Sequence, residues 1–221
     1  MPLLGVSDAA AELGVSSRRV RQMLAGGLLD CEKVGRVWMI DSDDLRRIGR
    51  SRPKVGRPWS AGSGWAVLAL ADGRGADLSP VERSRAKKRL ALGLEKIVDR
   101  LAARADRRSF YVHPGVLAQL AESSSVVRSG VSAAVDVGAD MVAQGEFEGY
   151  VSERHIVELV RSFAMDEHAA RPNVVLREVD DLAWPFEPGQ KVASRSVVAV
   201  DLLESDDPRS RRAGMSLLVA E

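Results

Sequence analysis

Two helix-start signals on either side of one tight turn, between Ser7 and Gly27, constrain this chain more than any other feature. Ser7-Asp-Ala-Ala-Ala-Glu-Leu-Gly14 predicts a short helix with Ser7 as N-cap, Asp8 and Glu12 on its exposed side, and Gly14 as its stop. The cap works because a serine oxygen accepts from unsatisfied N–H groups of the first turn, and glycine tolerates the left-handed closing conformation. Val15 fills the turn. Ser16 or Ser17 caps a second helix, Arg18-Arg-Val-Arg-Gln-Met-Leu24, which runs to Gly26-Gly27. Ala10, Leu13, Val15, Val20 and Leu24 form an apolar set that locks two short helices across a tight turn and leaves polar residues outside.

After Leu28-Leu29, the segment from Cys31 to Ile40 alternates Val37 and Met39 against Trp38 and Ile40 around a Gly35 turn, the pattern of a hairpin or wing. Asp41-Ser-Asp-Asp-Leu-Arg-Arg-Ile48 places a capping residue and acids first and bases last, which suits the dipole of a short helix. Taken together, Val6 to Ile48 resembles the winged helix-turn-helix of the MerR and excisionase type. Leu-Gly-Val-Ser, an arginine-rich second helix, Gly-Leu-Leu, a Val-Gly-Arg wing and an Asp-capped helix occur in that order. The resemblance implies double-stranded DNA as partner, with Ser16, Ser17, Arg18, Arg21 or Gln22 at the start of the second helix facing the major groove. Arginine suits the N7 and O6 acceptors of guanine, and glutamine suits adenine. Arg36 at the wing tip, and Arg19 or Arg21, would hold phosphates and fix register without reading sequence.

The 221-residue chain carries a net charge of +1, but the charge is unevenly placed. Residues 1–110 hold 22 Lys+Arg against 13 Asp+Glu, a balance of +9, and residues 111–221 hold 10 against 18, a balance of −8. Such asymmetry points to two surfaces with different partners, one suited to phosphates and one to a basic protein or to the basic half itself. Six bases and no acid lie between Arg46 and Pro58, in an extended linker whose Gly56-Arg57-Pro58 resembles the core of an AT-hook, with Arg57 suited to a narrow minor groove.

Trp65 to Ala71 predicts a short buried helix broken by Asp72-Gly-Arg-Gly75. Ser79-Pro80-Val81-Glu82 is a capping box with proline at the first helical position, opening a helix expected to run from 80 to about 105. Ten bases from Arg83 to Arg108 surround its stripe of Val81, Leu90, Leu94, Ile97, Val98 and Leu101. This helix could lie along DNA or pair with the acidic half.

In the acidic half, strands are expected at 109–113, 149–151 and 173–179. Helices are expected at 114–122, from Ser152, at 194–204, and from Asp206 to near Val219. Residues 126–142 fit neither the helical nor the strand period. Gly149-Tyr-Val-Ser-Glu-Arg, Pro172-Asn-Val-Val-Leu-Arg-Glu-Val, Trp184-Pro-Phe and the run Val198 to Gly214 are similar to the C-terminal portion of actinobacterial regulators related to type IV (AbiEi-like) antitoxins. That resemblance implies a module countering a nucleotidyltransferase toxin, joined to one that binds its own operator.

Composition excludes several classes. No run approaches the roughly 18–20 apolar residues of a membrane span, and no signal-peptide pattern opens the chain, so a cytoplasmic protein with no membrane partner is expected. The single Cys31 cannot close an internal disulfide. His113, His155 and His168 are scattered and no phosphate-binding glycine loop is present, so neither an enzyme nor a cofactor or metal site is expected. Asp180-Asp181 and Asp206-Asp207 could suggest a Mg²⁺-dependent nuclease, but adjacent acids also suit helix starts.

The sequence therefore predicts a helix-rich α+β chain. Residues 1–50 form a winged helix-turn-helix, 51–59 a basic linker, 60–108 a helical region, and 109–221 a mixed helical and strand domain. The expected function is a DNA-binding regulator, the autorepressing antitoxin of a toxin-antitoxin pair; an excisionase-like architectural factor is the alternative. A dimer on DNA is one possible assembly.

Overall fold

A computed structural model of the chain describes residues 3–13, 17–25, 29, 31–34, 37–41 and 58–219. It divides into two compact units, Met1–Lys54 and Val55–Glu221.

The first unit contains β1 (Leu3–Gly5), α1 (Val6–Leu13), α2 (Ser17–Ala25), β2 (Cys31–Val34) and β3 (Val37–Asp41). The strands form an antiparallel sheet in the order β1-β3-β2, and Val34 pairs with Val37 across the β2–β3 hairpin. Ala9, Ala10, Val20, Leu29 and Ile40 are buried together, edged by Leu4, Val6 and Leu24. This small core joins the helix pair to the sheet. α1 starts at Val6, one residue before the expected cap Ser7, and β1 has too few residues to show a strand period in the sequence. Gly14 to Ser16, the Gly26-Gly27 stop, Gly35-Arg36, the expected helix after Asp41 and the linker through Arg57 lie outside the described residues.

The second unit opens with α3 (Ala61–Ala71), whose Gly64 to Leu68 are buried, and continues with α4 (Pro80–Leu90). At the start of α4 the expected capping box is complete: Ser79 Oγ accepts from Glu82 N–H at 3.3 Å, and Glu82 accepts from Ser79 N–H at 3.1 Å. The single helix expected from 80 to about 105 is instead two. Gly93, at φ +88°, starts α5 (Leu94–Leu101), and a 3-10 turn (Ala102–Arg104) follows. An interior glycine weakens a helix and reaches this backbone region without a Cβ clash. The break turns Leu94, Ile97 and Leu101 into the core, whereas Val81 on α4 remains 58% exposed.

A four-stranded sheet follows, in the order β4-β7-β6-β5, built from β4 (Asp106–Phe110), β5 (Val126–Arg128), β6 (Phe147–Ser152) and β7 (Val174–Val179). β6 and β7 are parallel, and β4 and β5 flank them antiparallel. β4 begins three residues before the expected strand, at Asp106, because its pairing with β7 runs from Asp106↔Glu178 to Phe110↔Val174. Residues 126–142 fit no period because they form a three-residue strand and two 3-10 turns.

Both faces of the sheet are covered. Phe147 and Val151 of β6, Val174 and Leu176 of β7, and Phe110 of β4 pack on one face with Leu120 of α6 (Leu117–Glu122) and with Ile156 and Leu159 of α7 (Glu153–Ser162). Tyr150 and Val179 face the other side, in a core shared with α3, α5, α8 (Arg195–Leu203) and α9 (Pro208–Val219). That core joins residues from the 60–108 segment to residues from the 109–221 segment. On α8, Ser196 through Leu202 are all buried. α9 lies so close to it that a Cβ on Gly214 would come within 2.7 Å of the Ala199 carbonyl oxygen. Among the described residues no helix is long and apolar enough to cross a membrane.

Candidate nucleic-acid interface

The two units hold arginines in opposite environments. On α2, Val20 is fully buried and Leu24, one turn later, packs at the edge of the core. Those two residues fix the inner face of the helix. Arg18 and Arg21, three residues apart and so on one helical face, are exposed. Ser17, the first residue of α2, is half-buried. Arg19 and Gln22 lie on α2 by their backbone, but their side chains lie outside the described ones, as do Ser16, Arg36 and Arg57 as whole residues. α2 holds three arginines and no acid in nine residues. A short rigid helix with an outward row of guanidinium groups can bond base edges or phosphates in a duplex groove.

In the second unit, Arg104 and Arg177 are each only 2% exposed. Arg104 leaves the 3-10 turn after α5 and bonds Asp201 and Glu204 of the α8 end, the latter at 2.8 Å to Oε2. It also donates to the Tyr150 hydroxyl at 3.0 Å and the Leu101 carbonyl at 3.0 Å. Arg177 of β7 reaches Asp201 at 3.1 Å and Glu204 at 3.3 Å. Tyr150 donates to Asp201 at 2.8 Å, and Ser129 donates to its other oxygen. Burial opposes the Arg104 charge, but Glu204, Tyr150 and Asp201 outweigh it and raise its pKa well above the ordinary value. The Arg177 pKa is raised despite burial, chiefly by Asp201 and Glu148. Burial pushes the Tyr150 phenol up, keeping its proton available for Asp201.

Glu148 is the least satisfied member of this cluster. Its Oε2 lies 3.5 Å from Arg177 Nη1, yet neither atom has a hydrogen-bond partner. Burial raises its pKa against the pull of Arg177. Sequence reading missed this cluster, although two local signals were present: one acid, Asp201, inside the apolar run Val197–Leu203, and one arginine after Val174-Val175-Leu176 in a buried strand. Charged residues in such runs require partners, since an isolated buried charge is strongly disfavoured.

The acid pairs are held in turns and caps. Asp180 accepts from Leu182 N–H at 2.7 Å, and Asp181 accepts from Arg154 Nε at 3.0 Å. Asp207 caps α9, accepting from Ser210 N–H at 2.9 Å and Arg209 N–H at 3.1 Å, and these bonds hold its carboxyl below its usual range. His113 Nδ1 accepts from Gly115 N–H, His155 stands 3.3 Å from Ser152 Oγ, and Cys31 is exposed. Among the described residues no group of three or more His, Cys, Asp or Glu could hold a metal ion.

Against known proteins, residues 3–52 match the family described as the helix-turn-helix domain. The match covers the first unit and supports a DNA-binding regulator of the excisionase-like helix-turn-helix class. No curated protein and no solved structure matches the chain.

Proposed function

We propose that this protein is a transcriptional regulator that binds its own operator through the N-terminal part of α2, in a winged helix-turn-helix arrangement. The exposed pair Arg18 and Arg21, on an acid-free helix anchored by Val20 and Leu24, carries this reading. Arg18 and Arg21, together with Ser17 and Gln22, supply base contacts; Arg36 supplies a phosphate contact and Arg57 enters the minor groove. Gel-shift titration on the protein's own promoter tests this. Arg18→Ala with Arg21→Ala should lose promoter binding, and unchanged binding by the folded double variant removes α2 from the interface.

The finer reading makes the protein a non-enzymatic antitoxin-repressor, with residues 109–221 opposing a nucleotidyltransferase toxin. It rests on the motif resemblance read in the sequence over residues 149–214, which no matching family model covers, and on the −8 balance of residues 111–221, which suits a basic partner. Co-expression with a neighbouring nucleotidyltransferase gene product is the test. Growth rescue by the chain is expected, and toxicity in its presence overturns the antitoxin role while leaving DNA binding intact.

A further inference from the structure

The basic run of α4 is where the sequence left open a choice between DNA and the acidic half. The structure separates its bases into two groups. Arg83 donates to the carbonyls of Gly75 and Ala76 at 2.8 and 2.9 Å, and Arg89 stacks over Trp59 at 4.5 Å, so these two secure the loop before α4 and the entry to α3. Arg85, Lys87 and Lys88 are exposed, and among the described residues no base of α4 forms an ion pair. The acid of α4, Glu82, is held in the capping box.

Lys87 and Lys88 also stand at a concave place. Together with Ser84 and Arg83 they line an open concavity whose other walls are Leu78 and Pro80, with no acid among the lining residues. The scaffold is firm: Ala86 is 1% exposed beneath this turn, and the completed cap fixes the start of the helix. Two ammonium groups and a hydroxyl at a concave, acid-free surface suit phosphate oxygens, and lysine binds phosphate as a point charge with no directional readout of bases.

The geometry points to the α4 face of Ser84, Arg85, Lys87 and Lys88 as a second, sequence-independent surface for the phosphate backbone of double-stranded DNA. It rests on the reading that this chain works on DNA, but not on α2 being the reading helix. Base-independent phosphate contact adds affinity and salt dependence without changing which sequence is preferred.

The test uses the full chain, a duplex of random sequence and the promoter duplex, with binding followed by fluorescence anisotropy over a salt series. Lys87→Gln with Lys88→Gln removes two phosphate contacts. The slope of log K against log salt should become shallower by about 2, and affinity near ~0.1 M salt should fall roughly 10- to 100-fold for both duplexes. The ratio between promoter and random duplex should stay the same. Ser84→Glu, which puts an anion in the concavity, should weaken both duplexes in the same way. Circular dichroism identical to the parent's is expected, since all three side chains are exposed.

Parental slope and affinity in both variants overturn the inference. So does loss of binding to phosphatidylserine vesicles with duplex binding unchanged, which would assign the face to membranes. Arg18→Ala with Arg21→Ala, measured in parallel, separates the two claims. If only that variant loses promoter binding, the α4 surface fails and the regulator reading stands. If only the α4 variants lose binding, the assignment of α2 fails instead.

Discussion

Arg18 and Arg21 on α2, and Arg104 and Arg177 at the centre of the second unit, are the same residue type put to opposite uses. The first pair is exposed on a helix with no acid, and its charge is available to a partner. The second pair is enclosed and balanced by Asp201 and Glu204 within the fold. The difference shows that a positive balance along a sequence measures two things at once. Of the ten bases between Arg83 and Arg108, Arg104 is internal and Arg108 is paired with Glu167 at 2.7 Å and Glu178 at 3.1 Å. Bases held in this way are not available to a ligand.

The largest expected effect breaks the enclosed side of the contrast. Arg104→Met leaves Asp201 and Glu204 with the Arg177 guanidinium and deprives Tyr150 of a donor. Removing one member of a buried ionic group costs about 3–5 kcal/mol. Urea unfolding followed by tryptophan fluorescence, to which the buried Trp65 contributes, should show that loss. A variant as stable as the parent would place Arg104 in the same class as Arg18.

The exposed side should respond in binding and not in stability. Arg18→Ala and Arg21→Ala should each cost about 1–3 kcal/mol in promoter affinity where the arginine reads a base. Their unfolding midpoints should match the parent's. A fall in stability comparable to that of Arg104→Met would erase the contrast.

A smaller effect concerns the acid of α4. Ser79→Ala removes the hydroxyl from the capping box and should lower stability by ~1 kcal/mol, read by thermal unfolding. Unchanged stability would mean that the Ser79 hydroxyl adds nothing to the start of α4.

The smallest effect is a dependence on pH, and its sign follows from where each carboxyl stands. Burial raises the Glu148 pKa, so the folded chain keeps that proton at pH values where the unfolded chain has lost it. Stability from this group is complete below the ordinary glutamate value and declines as pH rises through the raised one. Glu204 behaves in reverse: burial acts against its charge, Arg104 and Arg177 prevail, and its contribution is lost as pH falls through the lowered value. Glu148→Gln should flatten the decline in melting temperature above the ordinary glutamate value and leave the acid limb set by Glu204 in place. A parental profile in that variant would show that Glu148 does not titrate within the cluster.

Much of this was legible from short-range signals. The Ser79 cap, the apolar run of α3 and the helix-turn-helix spacing each involve residues within a few positions of one another, where local chemistry decides structure. Elements set by distant pairing were less legible. β1 has three residues and exists through its pairing with β3, and the start of β4 at Asp106 is fixed by Glu178. The long helix failed at Gly93 because the glycine was outweighed by a continuous charge pattern on both sides of it. The outward placement of Arg18 and Arg21 on α2 was legible from the helix period alone. The buried cluster was not, because no local pattern ties Arg104 to Asp201, which are 97 positions apart.

That separation has a consequence during synthesis. At about 5–20 residues per second, roughly 5–20 s pass between the emergence of Arg104 and that of Asp201. Through that interval Arg104 has neither Asp201 nor Glu204 to pair with, so the buried ion cluster cannot close until α8 has emerged. The N-terminal unit emerges earlier. A nascent chain is therefore a DNA-binding head on an open tail before it is a finished two-unit protein.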